Sequence, residues 1–451
     1  MLTFTTSRIL AAALLLAPLL SSYAQEGDAG VIDPAAASEA LATAAGEELE
    51  GGIELEGGDE NLLEDNLPTG LEDSPGGFAL FPKLKVDLLS STSFIYDSNT
   101  TQSPVAESAS LFAFGFGATT KSGKSTDRGS YYGLDYNGQA YLYADSSDDF
   151  GRDPYEHFFS GNVGVNGGKT RVRVDANYHR NNGNSIQWDR IERETRRAAS
   201  HDYGFTLGVT RDLFRGDLNF AFGYSLRDFD PGTGFGDGEN TYGDVSWMTS
   251  PSFAPKSGVG LGVRLGSDEY DGSPAQDFTT PSFRWNYRLS GKTAVNSSVG
   301  YEFRSIDSPG AVESEALVYN GGIDWVATSK TGFNLGFYRN VRPSYIANGE
   351  DSINTGITLQ MRNDLPGRFE MVSRLGYEDA EYSTTGVLAP VAVDRDDKFV
   401  RLSLELSHPL VITDRIRGQW AVFYNFNQND STLPIYEFDQ GITGVRFSLV
   451  Y

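Results

Sequence analysis

Few residues of this chain belong to the types that perform catalysis. Cysteine is absent, which excludes thiolate nucleophiles, thiolate metal sites and disulfides. The four histidines, His157, His179, His201 and His408, have no acid and nucleophile at a recognisable spacing, and the Gly-x-Ser-x-Gly motif of serine hydrolases does not occur. We therefore predict that the chain is not an enzyme and has neither a cofactor nor a metal site.

Charged side chains are the remaining candidates for chemistry, and they recur at every second position of short segments. Arg171, Arg173 and Asp175, for example, alternate with two valines. Such charges share one face only if the segments are β-strands, in which successive side chains point to opposite faces. We predict that one set lines the inward face of a closed sheet: Arg171, Arg173, Asp175, Arg227, Arg264, Arg284, Arg288, Glu302, Arg304, Asp324, Arg374 and Arg401.

Arginine outnumbers acid in this predicted inward set. Charge rings of one sign tune the selectivity of a water-filled channel, so this excess favours anionic or hydroxyl-rich solutes. The alternative is mutual pairing, of Arg173 with Asp175 or of Arg304 with Glu302, which would cancel much of the field. The sequence leaves both interpretations open.

The strands that must position these charges follow a two-residue period through most of the chain. Leu218, Phe220 and Phe222, for instance, alternate with Asn219 and Ala221. We predict about 18 such strands, with 16 possible, centred near residues 90, 114, 137, 161, 175, 206, 222, 245, 263, 284, 299, 322, 338, 358, 374, 402, 421 and 445. Their spacing leaves room for about 10 residues each, the length with which a tilted strand crosses a bilayer.

The connections between these segments alternate in length. Short ones such as NGGK (166–169) and SGKT (290–293) are typical of hairpin turns, whereas long ones such as DSSDDFGRDPYE are acidic. Proline is expected only in loops or near strand ends, with Pro281, Pro343 and Pro409 as the end cases. A soluble sandwich or propeller would have loops of similar length at both ends, so the pattern favours a transmembrane barrel.

Tryptophan supports the same interpretation. Four tryptophans lie close to short turns, where an aromatic girdle would meet one membrane interface. They are Trp247, Trp285, Trp325 and Trp420.

The N-terminal residues predict export. Residues 1–24 combine Arg8, an apolar run over residues 9–20 and a small-x-small sequence at residues 22–24, as in a cleaved signal peptide. Residues 25–82 contain 15 Asp or Glu and no Lys or Arg. Like-charge repulsion predicts a disordered acidic periplasmic arm. This arm is either a solvated tail or a segment that binds a basic periplasmic partner or enters the pore.

One predicted long loop carries its own candidate site. Between Asn181 and Ser200 the sequence WDRIERETRR places arginines at near-helical spacing beside a tryptophan: Trp188, Arg190, Arg193, Arg196 and Arg197. The loop resembles, in order and length, the third loop of general diffusion porins, which folds inward. The resemblance implies a constriction loop, and an ordinary exposed loop is the alternative. Acidic loops with Asp148, Asp149, Asp153, Asp228, Asp230 and Asp237 lack EF-hand spacing.

The last residues alternate in the same way and end on an aromatic side chain. Phe447, Leu449 and Tyr451 resemble the C-terminal signature by which barrel-assembly machinery accepts its clients. The resemblance implies that this machinery and outer-membrane lipids are partners, and no nucleic-acid partner is expected. Residues 83–451 are thus predicted to form an all-β, transmembrane, antiparallel up-and-down barrel in the outer membrane of a Gram-negative-type bacterium, with the arm and both barrel termini periplasmic.

A second resemblance lies in the first predicted strand. Phe94-Ile95-Tyr96-Asp97-Ser98-Asn99 resembles the aromatic-Asp-x-Asn stretch that opens the outer-membrane β-barrel porins often encoded beside exopolysaccharide genes. Alternatively, Asp97 and Asn99 only shape a rim turn, because Asx side chains bond nearby backbone. The predicted function is a porin-like channel for small polar or anionic and hydroxyl-rich solutes. The alternatives are an accessory barrel in exopolysaccharide export and a non-conducting surface-binding or structural barrel.

Overall fold

Alternating apolar and polar residues form strands through most of the chain that the structure describes. The computed structural model describes residues 78–81, 84–123, 125, 128–144, 154–183, 198–213, 216–233, 235–251, 254, 256–271, 273–306, 313–343, 350–384, 395–413 and 416–451. The strands are β1 (Phe78–Phe81), β2 (Leu84–Asp97), β3 (Ala109–Ser122), β4 (Gly129–Tyr143), β5 (Tyr155–Asn166), β6 (Thr170–Asn181), β7 (Ser200–Leu213), β8 (Gly216–Phe229), β9 (Gly238–Thr249), β10 (Ser257–Tyr270), β11 (Gln276–Ser290), β12 (Thr293–Ile306), β13 (Ser314–Thr328), β14 (Thr331–Pro343), β15 (Glu350–Leu365), β16 (Phe369–Thr384), β17 (Arg395–Val411), β18 (Arg417–Ser431) and β19 (Phe438–Val450). A 3-10 turn, Pro434–Tyr436, precedes β19. No helix among these residues is long and apolar enough to span a membrane.

Strands β2 to β19 close into a barrel. Each pairs antiparallel with its neighbours along the chain. The last strand then pairs with the first barrel strand, from Ile442 opposite Asp97 to Val450 opposite Leu89. Leu88 and Tyr451 extend this seam with two backbone hydrogen bonds of 3.0 and 2.9 Å. The predicted all-β up-and-down barrel is confirmed, and the described residues supply 18 barrel strands rather than 16.

The outer face of the barrel carries a band of exposed apolar side chains. Phe112, Phe114 and Phe116 of β3 are 41 to 47% exposed, and Leu261 and Leu265 of β10 are 66% and 54% exposed. A soluble protein rarely exposes such a continuous apolar surface. A barrel in a membrane exposes such a surface, because lipid hydrocarbon surrounds its outer face. Its backbone groups need no water, since the closed ladder pairs them.

The two ends of the barrel differ. We call the end with the short connections, such as residues 291–292 and 329–330, the turn rim. The opposite end, with longer connections such as residues 98–108 and 230–237, is the loop rim. The four tryptophans predicted to form the girdle lie near the turn rim, and Trp247, Trp285 and Trp325 are exposed on the outer face.

Strand length differs from the prediction. The barrel strands contain 12 to 17 residues instead of about 10. They continue past the apolar band, as in β17, where Asp396 and Lys398 are exposed at the loop-rim end. Because both faces are polar there, the alternation that predicted the strand is lost while the backbone ladder continues.

Pro281 also departs from expectation, because it lies inside β11. The pairing of β11 with β12 stops at Thr279 opposite Phe303 and resumes at Ser282 opposite Gly300 without a change of register. Proline has no N–H to donate, so the ladder is interrupted locally. The other side of Pro281 still pairs with Val263 of β10. The expectation that every proline lies in a loop or at a strand end is therefore wrong here.

The predicted signal peptide, residues 1–24, and nearly all of the predicted acidic arm lie outside the described residues. The end of the arm interval is strand rather than disordered chain. Phe78–Phe81 forms β1, which pairs antiparallel with the start of β2 through Phe78 opposite Val86. Strand structure therefore begins before the predicted boundary at residue 83.

Candidate functional site

The interior wall of the barrel is polar and charged. The twelve predicted inward residues all alternate with outward apolar positions of their strands, and so lie on this face. Arg304, Asp324 and Arg401 are at most 8% exposed, whereas Arg288 is exposed near the turn rim. An interior of this chemistry can interact with polar solutes and water. Whether these residues line a conducting path stays a prediction.

Ion pairs join many of the interior charges. Arg173 lies 2.8 Å from Asp175. Arg304 lies 2.7 Å from Glu302 and 2.8 Å from Asp268. The mutual pairing that the sequence left open is therefore present, and it reduces the field of the arginines.

Several of the pairing acids were not in the predicted set. Asp202 binds Arg227 at 2.7 Å, and Asp244 binds Arg284. Further acids on or beside the wall are buried: Asp135, Glu156, Asp217, Asp268, Asp351, Glu370 and Glu378. Among the described residues, arginine thus does not dominate the interior. Asp202 and Asp268 lie beyond the ends of the segments in which alternation is visible. The sequence therefore does not indicate that these two acids belong to strands.

One part of the wall stacks guanidinium groups on aromatic rings. The Arg264 guanidinium carbon lies 4.2 Å from the Tyr242 ring centroid and 5.7 Å from that of Phe278. Arg304 lies 5.2 Å from the Phe278 centroid. Gly223, opposite Tyr242 across β8 and β9, makes room for the ring, since a Cβ there would overlap it. Such a surface pairs cations with π faces and suits flat polar groups.

The histidines have partners that the sequence did not reveal. His179 Nε2 lies 2.8 Å from Glu156 Oε1, and its Nδ1 lies 3.5 Å from Asp202 Oδ2. Tyr141 donates a 2.7 Å hydrogen bond to Glu156. The nearby Ser200 hydroxyl bonds Asp202 at 3.1 Å. Because this hydroxyl contacts the acid and not the imidazole, the arrangement is not a nucleophile–base pair.

The other three histidines lie against aromatic side chains. Nδ1 of His157 lies 3.0 Å from the Tyr136 hydroxyl, and Nδ1 of His201 lies 2.9 Å from the Tyr178 hydroxyl. His408 stacks on Trp420 near the turn rim. These contacts give each of the three a packing role.

The aromatic-Asp-x-Asn stretch forms the loop-rim end of the seam between β2 and β19. Gln440 donates to both carboxylate oxygens of Asp97 at 3.1 and 3.0 Å. Gln102 donates to Gln440 at 3.0 Å, and Asn99 donates to the Asp439 carbonyl at 3.0 Å. Asp97 also accepts the Asn99 backbone N–H at 3.0 Å, so it shapes the rim turn as well.

We call Asp97, Asn99, Gln102 and Gln440 the seam clasp; all four are at most 1% exposed. Gln102 has a φ of 48°, a backbone region that side chains other than glycine rarely adopt. Such a residue persists when surrounding contacts hold it, and here the Gln440 bond contributes.

A patch of the interior beside the clasp is apolar. Residues of six consecutive strands around the seam pack together and are at most 6% exposed: Ile95, Leu111, Ala113, Tyr141, Phe399, Phe423, Phe438 and Ile442. The sequence does not reveal these inward apolar residues, because the lipid-facing side of each strand already supplies the apolar half of the alternation. The patch means that part of the interior is packed rather than wet.

Two acids of the loop between β8 and β9 bond groups of the neighbouring strands. Arg180 donates to both carboxylate oxygens of Asp230, at 2.8 and 2.7 Å, and this bonding holds the pKa of Asp230 below its usual range. Asp237 accepts the Phe229 backbone N–H at 2.8 Å. No cluster of three metal-ligating side chains occurs within the described residues. Asp148, Asp149 and Asp153 lie outside them.

The structure describes one of the two remaining predicted sites, the assembly signal, and not the constriction loop. The candidate constriction residues, Trp188, Arg190, Arg193, Arg196 and Arg197, all lie outside the described residues. The predicted assembly signal lies in β19 and just after it, with Phe447 and Tyr451 exposed on the outer face.

Comparison with known proteins returns matches at the level of structure only. No protein-family model matches the chain, and no curated protein sequence matches it. Among solved structures, Pseudomonas aeruginosa OpdK with vanillate is similar, with a TM-score of 0.44 and 12% identity over 82% of this chain and 99% of that one. Pseudomonas aeruginosa OccK2 (OpdF) in complex with glucuronate gives 0.41 and 14% over 83% and 99%. Acinetobacter baumannii OccAB3 gives 0.42 and 10% over 82% and 100%.

OpdK is described as an outer membrane protein. The barrel is assigned from its own strand pairing.

Proposed function

We propose that the chain forms a channel through the outer membrane for small polar solutes. The observation that supports this most directly is the contrast between the two faces of one closed sheet. The outer face exposes an apolar band, while the inner face carries charged and amide side chains. Barrels of about 16 to 18 strands leave an aqueous lumen unless something fills it.

The paired charges bear on which solutes pass. Because Arg173, Arg227 and Arg304 each bind a carboxylate, the wall offers alternating donors and acceptors rather than a single charge. Hydroxyl-rich solutes exchange hydrogen bonds with such a wall. Anion preference would have to come from positions such as Arg288, near the turn-rim mouth. We therefore favour hydroxyl-rich solutes, with a modest preference for anions.

Single-channel recording in a planar bilayer tests the proposal. The wild-type chain should give steady conductance, and Arg288→Glu should move the reversal potential in a salt gradient toward cation selectivity. The matched control is Arg211→Glu, an exposed arginine near the same rim on the outward face of β7, opposite Leu218. A folded wild-type barrel without conductance, or equal shifts for both variants, contradicts the proposal.

A second candidate function is a barrel with a closed interior that binds a ligand at its loop rim. It is favoured by the packed apolar patch and by Gln276 of β11, which donates to Asp351 of β15 at 2.8 Å although three strands lie between them. Silence in the recording would favour this candidate. The described residues offer no observation that favours an accessory role in exopolysaccharide export.

A further inference from the structure

Exposed charges at the turn rim are almost all positive. Among the described residues, the Lys and Arg side chains exposed there come from seven of the eight short connections and the adjoining strand ends: Lys121, Arg128, Lys169, Arg211, Lys256, Arg288, Lys292, Lys330, Arg362 and Arg368. We call these residues the basic ring. Asp364 is the one acidic side chain exposed among them in that part of the chain. Of the described acids near this rim that face inward, Asp217, Asp324 and Glu370 are buried, and Asp87 and Asp212 are half-buried.

The loop rim shows the opposite charge. Its exposed acidic side chains among the described residues are Glu107, Asp228, Glu269, Asp271, Asp277, Glu313, Glu315, Glu381, Asp396, Asp430, Glu437 and Asp439. Lys398 is the one basic side chain exposed there within the same residues. The two ends of the barrel therefore differ strongly in potential, and the basic ring attracts anionic segments.

An anionic segment of the same chain is tethered at the basic ring. Residues 25–77 contain 15 Asp or Glu and no Lys or Arg. They lead directly into β1, which pairs with the start of β2 through Phe78 opposite Val86. The end of β2 leads into the loop-rim connection 98–108, so the start of β2 lies at the turn rim. There Leu88 bonds Tyr451, just beyond the last paired residues of the seam. The acidic segment is thus anchored at the positive end of the barrel.

Its length suits this surface. A random coil of that many residues has a root-mean-square span of roughly 40 Å, from about 5 to 6 Å times the square root of its length. A barrel of this strand number, with strands about 4.8 Å apart and tilted by about 40°, is of similar width, roughly 35 to 40 Å. Tethering of this kind gives an effective concentration on the order of millimolar, which promotes contacts that are individually weak.

We propose that residues 25–77 dock on the basic ring of their own barrel. Many weak carboxylate contacts to Lys and Arg hold the segment, so the docking depends on ionic strength. The occupant is this segment and not an acidic lipid headgroup, because the segment is covalently held beside the ring. This inference does not depend on whether the barrel conducts.

A zero-length carbodiimide crosslink between carboxylates and lysines tests the docking on the full chain in phosphatidylcholine vesicles. We expect amide links from residues 25–77 to Lys169, Lys256, Lys292 and Lys330 at 50 mM NaCl. Their yield should fall about tenfold at 1 M NaCl, where the screening length is about 3 Å. Lys398, exposed at the opposite rim, is the internal control and should give no link. Links to Lys398 at equal yield, or none to the ring, overturn the proposal.

Two arms of the experiment separate other occupants. In vesicles of phosphatidylglycerol the ring crosslinks should persist within about twofold; their loss would show that lipid headgroups take the ring instead. In a mixture of isotope-labelled and unlabelled chains, the two peptides of each linked pair should be either both labelled or both unlabelled. Mixed pairs would mean that the segment docks on a second barrel, which contradicts the proposal.

Charge reversal gives a second measurement. The triple variant Lys256→Glu, Lys292→Glu and Lys330→Glu should make residues 25–77 several-fold more sensitive to proteinase K, while Lys398→Glu should not. Folding of both is checked by heat-modifiable migration. If the triple variant fails to fold, replacing Glu47, Glu48, Glu50, Glu54 and Glu56 by Gln leaves the barrel intact and should lower the yield of the crosslinks. Unchanged sensitivity in a folded triple variant, or unchanged crosslinks in the Gln variant, overturns the docking.

Discussion

Asp97 shows how much a single buried carboxylate can organise. Its two oxygens accept bonds from the Asn99 backbone and from Gln440, and the side chain is completely buried. It therefore fixes the direction of the rim turn and joins the first and last barrel strands at once. A buried acceptor that loses its donors costs the full desolvation of the group.

Replacing Asp97 by Asn should weaken the seam. One carboxylate oxygen becomes an NH2 group, which meets the Gln440 NH2 donor without an acceptor between them. We expect a loss of about 1 to 3 kcal/mol in the free energy of unfolding. The measurement is the temperature at which the folded band disappears in heat-modifiable migration. Asp439→Asn, the same change at an exposed neighbouring position, should leave that temperature within experimental error.

Gly223 and Gly243 offer a matched pair around the Tyr242 ring. A Cβ at Gly223 would overlap the ring, whereas one at Gly243 would meet no atom within 4 Å. We expect Gly223→Ala to displace the ring and cost about 1 to 3 kcal/mol through overpacking. Gly243→Ala should be close to neutral. Urea unfolding midpoints of the two variants decide this, and similar midpoints would mean that the ring has no fixed place.

At the scale of the strand, the ladder matters more than any one side chain. The end of β19 pairs with β2 on one side and with β18 on the other. Phe447, for example, lies opposite Thr92 of β2 and opposite Trp420 of β18. Removing it exposes backbone groups of two strands to hydrocarbon. Each unpaired group there costs several kcal/mol.

Deletion of residues 447–451 should therefore prevent assembly in the outer membrane. The readout is the amount of heat-modifiable barrel in membrane fractions. A control deletion of equal length at residues 46–50, within the acidic segment, should assemble normally. Wild-type levels of the truncated chain would show that the closing strand is dispensable.

Strands could be predicted from sequence because lipid-facing residues must be apolar. Each predicted centre falls within an observed strand, from residue 90 in β2 to residue 445 in β19. The ends could not be predicted, because Asp396 and Lys398 of β17 are polar beside polar interior residues. The face of Arg304 follows from its alternation with Phe303. The contact of Arg304 with Asp268 does not follow from the sequence. Arg304 lies on β12 and Asp268 on β10, and the register between these strands is set only by folding.

At the scale of the whole molecule, the two rims differ in loop length and in charge. The proposed orientation puts the acidic loop rim outside the cell and the turn rim, with both barrel termini, in the periplasm. Labelling can test it cleanly because the chain contains no cysteine. Val105, at 76% exposure, marks the loop rim, and Lys330 marks the turn rim.

Single-cysteine variants Val105→Cys and Lys330→Cys should therefore behave oppositely in intact cells. A membrane-impermeant maleimide should label the first and leave the second unlabelled until the outer membrane is opened. Both should react after solubilisation, which controls for accessibility. The reverse pattern would invert the orientation of the barrel.

The seam clasp also has a kinetic consequence. Gln440 and Asp97 are 343 residues apart, so their contact belongs to the seam that closes the whole barrel. Contacts of such sequence separation form late, because chain entropy is lost before they stabilise anything. Until then β2 and β19 are free edges. Interactions made after the rate-limiting barrier slow unfolding without speeding folding. The clasp should therefore act as a latch that lengthens the life of the closed barrel and leaves its rate of formation unchanged.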